Sequence, residues 1–205
     1  MHTRRDVVIF DFGGVLIDWN PRYLYRKLFG DDEAAMEAFL AEVTTPEWNL
    51  QQDAGRSWDE AVRVLTAEHP TKADLIAAYQ HRWEETLGGP IDDSLHILRD
   101  LKKAGHPLYG LTNWSQETFP FAQERFDFLA LFDGIVVSGA EGMIKPDPRL
   151  YQTLLERYDI DPARAIFIDD NKVNVEAANA LGIHGIHFHD AAQLRAELVR
   201  LGFLP

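Results

Sequence analysis

Residues 7–10 read Val-Val-Ile-Phe, four apolar residues in a row with no polar alternation. A strand of that composition has to be covered on both faces. A half-exposed antiparallel sheet does not offer such cover, and a parallel sheet flanked by helices does. Four further short runs are similarly β-branched or apolar: Pro-Leu-Tyr-Gly-Leu-Thr at 107–112, Gly-Ile-Val-Val-Ser at 134–138, Ala-Ile-Phe-Ile-Asp at 165–169 and Gly-Ile-His-Gly-Ile-His-Phe at 182–188. Segments of helical spacing separate the last four, among them 92–105, 147–158 and 174–182. The first of these closes on Lys102, Lys103 and Gly105, the charges and glycine that suit a helix C-terminus. Strands alternating with helices of this length form βαβ units, so the expected class is α/β, built on a Rossmann-like parallel sheet.

The interval between the first two of these strands is different. From about residue 20 to 88 only helical patterns occur, at 21–30, 32–43, 57–69 and 72–87, with Ser57 and Glu60 spaced as a capping box. A βαβ crossover needs only a dozen or so residues. The excess predicts a helical subdomain, residues 19–88, inserted after strand 1 and dividing a core made of 1–18 and 89–205. Hydrophobic residues form 46% of the 205, enough for a sizeable core. Twenty basic residues against thirty-three acidic ones give a formal charge of −13, which argues against a nucleic-acid partner, since that needs a basic face. A small anionic substrate stays compatible, because a few local cations or a metal reverse the sign inside a pocket. The absence of cysteine removes disulfides, thiolate metal sites and cysteine nucleophiles. Basic residues before the first apolar run imitate a signal peptide, but Asp11 interrupts the run and no small-residue cleavage site follows. With no apolar run of about 18 residues, no membrane span is expected, and the chain reads as soluble and cytoplasmic.

Three of the expected strands end in polar residues: the first in Asp11, the second in Thr112-Asn113, the fourth in Asp169-Asp170-Asn171. Ligands of open parallel sheets bind beyond the carboxyl ends of the strands, so these side chains can converge. One acid alone is ordinarily a turn or cap residue; three such tips together with Lys145, in Gly-Met-Ile-Lys-Pro-Asp-Pro, point to chemistry. The reaction that uses this set is phosphoryl transfer through an aspartyl phosphate. Asp11 would attack phosphorus in line. Gly13 and Gly14 would let backbone amides approach the phosphate oxygens, Thr112 would donate its hydroxyl, and Lys145 would neutralise charge. A carboxylate facing a phosphate dianion repels it, so a cation is needed between them. Magnesium suits, and Asp169-Asp170 supplies carboxylates for it.

The order Asp-x-Gly-Gly-Val, Leu-Thr-Asn, Lys-Pro and Ile-Asp-Asp-Asn resembles the four motifs of the haloacid dehalogenase-like hydrolase superfamily across essentially the whole chain. The run 142–188 is most similar to the branch that contains sugar-phosphate phosphatases, including α-glucose-1-phosphatase. The resemblance implies a strand order 5-4-1-2-3 with a helical cap after motif one. It implies Asp11 as nucleophile and metal ligand, Gly13 as a carbonyl ligand, and Gly14 beside the substrate. Thr112 matches the motif-two hydroxyl, Asn113 a site-lining amide and Lys145 the motif-three lysine. Asp170 aligns with the direct magnesium ligand, Asp169 is a second ligand or an outer partner, and Asn171 orients the two. One departure stands out: most family phosphatases carry a second aspartate two residues after the nucleophile, which protonates the leaving group, and here that position is Gly13. Water, the substrate or a cap residue then has to supply the proton.

Other signals are weaker. Trp114, next to motif two, lines the cap-facing mouth or packs against the cap. Trp19, Trp48, Trp58 and Trp83 suit the core of a small helical bundle. The stretch 47–58 breaks the helical pattern and is either a connector or a loop carrying Trp48, Asn49 and Gln52 to the substrate. His184, His187 and His189 alternate on the last strand and read as its polar face rather than a metal cluster. The expected function is a magnesium-dependent phosphatase of a small phosphorylated metabolite such as a sugar phosphate. One rival is a hydrolytic 2-haloacid dehalogenase of the same fold, in which Gly13 is harmless because halide leaves without a proton. Another is a non-catalytic phospho-acceptor of receiver type, whose acidic pair belongs at the first strand rather than the fourth.

Overall fold

The computed structural model describes residues 5–205. The chain opens with β1 (Val7–Phe10) and turns into β2 (Ile17–Trp19). It then runs through α1 (Arg22–Phe29), α2 (Glu33–Glu42), α3 (Pro46–Asp53), α4 (Trp58–Glu68) and α5 (Ala73–His81), and returns by β3 (Leu87–Pro90). Strands and helices then alternate: α6 (Asp92–Lys103), β4 (Leu108–Thr112), α7 (Phe119–Arg125), β5 (Gly134–Val137), α8 (Ser138–Glu141), α9 (Pro148–Arg157), β6 (Ala165–Asp169), α10 (Lys172–Ala180), β7 (His184–His187) and α11 (Ala191–Arg200).

All five strands of the main sheet are parallel, in the order β5-β4-β1-β6-β7. Numbered along the whole chain this is not 5-4-1-2-3, because an unforeseen ribbon, β2 antiparallel to β3, takes up two numbers. Among the sheet's own strands the order read from the β7 edge is 5-4-1-2-3. The ribbon also corrects the reading of 20–88 as helical throughout, since residues 17–19 and 87–90 pair at the two ends of that segment. Strands of three and four residues are too short to show alternation, and the pairing depends on a contact invisible in one dimension: a side chain at Gly88 would run into Asp18 and Tyr23.

β1 is buried along its whole length, as its composition requires. Ile9 packs with Leu150, Leu154 and Ala178 from α9 and α10 on one face, and Val8 and Phe10 join Leu95, Leu98 and Leu194 from α6 and α11 on the other. That second cluster continues without a break into the five-helix segment. Its bridge is aromatic: Phe12 stacks on Phe119 at 6.2 Å, Phe119 meets Trp114 at 5.8 Å, and Trp114 meets Trp83 at 5.4 Å. Phe12 lies over Gly110, where any side chain would collide with its ring. Farther out, Trp48, Trp58 and Tyr79 pack on one another with centroids 5.3–5.6 Å apart. Residues 47–53 are helical, which corrects the reading of a loop there. Thr45 caps α3 by accepting from the Trp48 amide at 3.2 Å, and Pro46 occupies its first turn. No helix among the described residues is long and apolar enough to cross a membrane.

Trp58 is 2% exposed at the centre of the aromatic cluster. Trp58→Ala should cost about 3–5 kcal/mol, since the cavity cannot collapse around three helices. Because this cluster is continuous with the packed face of the sheet, denaturant unfolding followed by tryptophan fluorescence and by circular dichroism should show one shifted transition. Two separated transitions would mean that the helical segment and the sheet have independent cores.

Candidate active site

β1 delivers Asp11 to the carboxyl end of the sheet, and the Asp11 amide still donates to the Ile168 carbonyl at 2.8 Å, so the ladder to β6 holds it in line. Its Oδ1 accepts from the Phe12 amide at 2.7 Å and lies 2.9 Å from Lys145 Nζ; both contacts fall on the same oxygen and leave Oδ2 free of either. Beyond Phe12 the chain closes a tight turn, in which the Leu16 and Ile17 amides donate to the Phe12 carbonyl at 2.8 and 2.9 Å. Gly14 has a φ of +72°, and a Cβ there would collide with the Asp170 carboxylate. Gly13 is the opposite case: a Cβ at that position meets no atom within 4 Å.

Lys145 enters from the loop between α8 and α9. Its backbone is clamped by Asn113 just beyond β4: the Lys145 amide donates to Asn113 Oδ1 at 2.8 Å, and Asn113 Nδ2 donates to the Lys145 carbonyl at 3.1 Å. The lysine side chain is wholly buried and spans Asp11 and Asp169, with Nζ 2.6 Å from Asp169 Oδ2. Asp169, at the end of β6, is fully engaged. Asn174 Nδ2 donates to both its oxygens at 3.0–3.2 Å, and the Asn171 amide donates to Oδ1 at 2.7 Å. Burial works against the Lys145 ammonium, but the Asp11 and Asp169 carboxylates together outweigh it and hold its pKa above the ordinary value. Burial also pushes Asp11 up to about 7; Lys145 pulls it back down and the neighbouring Asp169 charge adds to the rise.

Asp11, Asp169 and Asp170 each present an oxygen, all within 4.8 Å of one another, and they form the one such metal-capable group among the described residues. Three carboxylates face a single lysine. Asp170, exposed and tucked against Gly14, has no cation of its own. The surplus charge and the all-oxygen donor set fit a hard divalent ion such as magnesium. Thr112 Oγ1, at the tip of the adjacent strand, is buried without any hydrogen-bond partner. A buried hydroxyl is seldom left unpaired, and this one suits a ligand oxygen.

A cavity of about 100 Å³ opens beside Gly13, walled by Trp19, Trp83 and Trp114 and edged by Asn113, Asn49 and Asp53. Asn113 therefore lines the site, although both ends of its amide are spent on Lys145. Trp114 both lines the cavity and packs on Trp83. Asn49 reaches the cavity from α3, whereas Trp48 does not line it, because its ring is taken up by the core with Trp58 and Tyr79. Gln52 is likewise turned inward, donating to the Trp48 carbonyl and accepting from Arg56. Asn171 does not orient the carboxylates with its side chain, which caps α10 by accepting from the Val173 amide at 3.0 Å. The orienting amide is Asn174, a residue sequence reasoning missed; its signal is its place one turn into the helix that follows Asp169. Asp53 was missed too, although its spacing of four from Asn49 places both on one helical face. Of the three histidines on and after β7, His187 bonds the Asp170 carbonyl at 2.9 Å, and none joins the acidic group.

A model of the haloacid dehalogenase-like hydrolases matches residues 5–182. The chain is 32% identical over 203 residues to the sesquiterpene phosphatase astK of Aspergillus oryzae, with 98% of each covered. It is also 49% identical over 200 residues to acyl-CoA dehydrogenase family member 10 of Mus musculus; the match takes in 87% of this chain and 17% of that longer protein. A haloacid dehalogenase family enzyme of Bacteroides thetaiotaomicron, solved with magnesium and inorganic phosphate, has the same fold. Its TM-score is 0.67 at 21% identity, over 93% of this chain and 98% of that one.

Lys145→Met leaves two buried carboxylates without their cation and should cost about 3–5 kcal/mol near neutral pH. The sign of the pH dependence follows from Asp11. Its pKa is raised on folding from 3.8 to about 7, so the folded state holds the proton more tightly and stability falls as pH rises through that window. Removing Lys145 raises Asp11 further. Urea unfolding in metal-free buffer should therefore show a larger deficit of the variant at pH 8 than at pH 5; an equal deficit at both would mean the lysine acts through packing alone.

Proposed function

The chain belongs to the haloacid dehalogenase-like hydrolase family, and on that premise we propose that it is a magnesium-dependent phosphatase of a small phosphorylated metabolite, acting through an aspartyl phosphate on Asp11. The observation that carries this reading is the arrangement of Asp11, with one oxygen held by Lys145 and Phe12 and the other free, beside an acidic surplus centred on Asp170. Residues 19–88 act as the cap over the strand tips, with residues 1–18 and 89–205 as the catalytic core.

In this reading Asp11 attacks phosphorus in line and expels the alcohol. Lys145 and the Thr112 hydroxyl take up charge on the phosphoryl oxygens, and the turn at Gly13-Gly14 offers its amides without a side chain in the way. Asp11, Asp170 and the Gly13 carbonyl would hold magnesium, with Asp169 as an outer partner since its oxygens are occupied. The ion, when bound, screens the carboxylates from the phosphate dianion. Gly14, Asn49 and Trp114 face the substrate, while Trp48 supports the cap from within. The three tryptophans of the cavity favour an organic group with an apolar face, which a terpenyl chain or the flat side of a sugar ring provides. A dehalogenase has no use for the acidic surplus. A receiver-type acceptor has no use for a cavity walled by tryptophans under a helical cap.

Turnover of p-nitrophenyl phosphate with magnesium tests the reading. Asp11→Asn should reduce it to a few per cent or less while keeping a folded circular dichroism spectrum, because the amide is nearly isosteric but not nucleophilic. Asp170→Ala should raise the magnesium concentration for half-maximal rate more than Asp169→Ala, for which about 10–100-fold is typical of an outer partner. Full activity in excess EDTA would overturn the metal assignment and favour the dehalogenase.

A further inference from the structure

Position 13 has room for a side chain and carries none. A phosphomonoesterase with an unactivated alcohol as leaving group needs a proton at the bridging oxygen, and no residue beside Asp11 supplies one. The cavity next to Gly13 is lined by one carboxyl group among the described residues, that of Asp53, the last residue of α3. We infer that Asp53 is the general acid and base of this enzyme, placed on the cap instead of two residues after the nucleophile. The inference rests on the phosphatase reading and deepens it.

Asp53 has the surroundings of a proton donor. Its carboxyl group has two polar neighbours, the Asn49 amide at 3.3 Å and a backbone N–H at Ser115, and no cation pairs with it among the described residues. Trp83 and Trp114 present apolar rings to the same cavity. At the C-terminus of a helix a negative charge is further disfavoured by the aligned peptide dipoles. Burial pushes Asp53 up to about 7, only partly offset by the Ser115 amide, so the group holds a proton close to neutrality and can give it up. The titratable group beside it on the packed helices is Tyr79 of α5, whose own pKa burial raises, so it stays neutral.

The position of Asp53 is set by the catalytic core. Ser138 Oγ at the start of α8 donates to the Asp53 carbonyl at 2.6 Å and accepts from the Trp114 amide at 2.9 Å, joining the end of α3 to the residue that follows Thr112-Asn113. Gly55, with a φ of +101°, leaves no room for a side chain: a Cβ would sit 3.0 Å from the Gly139 carbonyl. The cap is thus pinned to the core within two residues of the proposed acid.

In the first half-reaction an Asp11 carboxylate oxygen bonds phosphorus as the ester P–O bond breaks, and the Asp53 proton passes to the departing oxygen, releasing the alcohol. In the second, the Asp53 carboxylate takes a proton from water, whose oxygen bonds phosphorus. The acyl-phosphate P–O bond breaks, Asp11 is restored as a carboxylate, and inorganic phosphate leaves with Asp53 protonated again.

The test is kcat/KM for wild type and Asp53→Asn across phosphate monoesters whose leaving-group pKa runs from p-nitrophenol to simple alcohols, with magnesium present. Wild type should depend weakly on leaving-group pKa. The variant should lose about 10²–10⁴-fold on alkyl phosphates and under tenfold on p-nitrophenyl phosphate, which needs little protonation. A cap residue with only a packing role would depress all substrates alike, and parallel losses across the series overturn the inference. A steep wild-type dependence overturns it without any variant, should Asp53→Asn fold poorly. No turnover of any ester by wild type, with or without magnesium, defeats the phosphatase reading itself and this inference with it.

Discussion

Lys145, wholly buried between Asp11 and Asp169, is the interaction on which the site is built. A buried ammonium is tolerated only where its charge is matched and its protons are bonded, and here two carboxylates from adjacent strands do both. That requirement reaches outward. The strands must be neighbours, which the β1–β6 register secures by setting Phe10 opposite Ile168. The loop carrying the lysine must be fixed at its backbone, which Asn113 accomplishes from the end of β4. Asp169 must keep its orientation, which Asn174 ensures. Four segments distant in sequence are therefore tied to one nitrogen atom.

Electrostatics at that nitrogen also explain why the surrounding site is poised for a ligand. One positive charge among three carboxylates leaves a local surplus of negative charge, and Asp170 carries its exposed part. The chain as a whole carries a formal charge of −13, of the same sign. In the proposed reading a divalent ion would relieve the surplus and at the same time make the pocket acceptable to an anionic substrate.

The two glycines after Phe12 are adjacent and serve opposite ends. Gly14 is demanded by what is present, the Asp170 carboxylate lying where its Cβ would be. Gly13 is set against open space, and the cavity it lines is shared with Asn49 and Asp53 of α3. Phe12, Phe119, Trp114 and Trp83 join the helical segment to the sheet in one aromatic succession, so that segment has a fixed seat. A fixed seat of that kind is what the proposed role of Asp53 requires of α3.

Much of this was legible in one dimension wherever a local rule bound a residue to its place. The unbroken apolar run at 7–10 required a doubly covered parallel strand, and the polar residues closing three strands had to lie at one end of the sheet, because parallel strands all point the same way. Asp11, Thr112, Asp169 and Asp170 owe their positions to that rule, and the helical patterns between 20 and 88 correspond to the run of α1–α5. Tertiary packing decided the rest. Whether Trp48 or Asn49 reached the cavity depended on which face of α3 met the aromatic core, and the stretch carrying them did not read as a helix at all. Asn171 and Asn174 are indistinguishable by type; only the start of α10 decides that one caps the helix and the other turns back to Asp169. The short ribbon β2-β3 rests on a close approach at Gly88, and Asp53 gains its surroundings from α5, α8 and Trp114 together. Sequence alone determined the direction of the strands and hence which end bears the chemistry, because backbone periodicity is local. Which side chains of α1–α5 meet that end was left to the tertiary structure, because it depends on the packing of elements far apart in the chain.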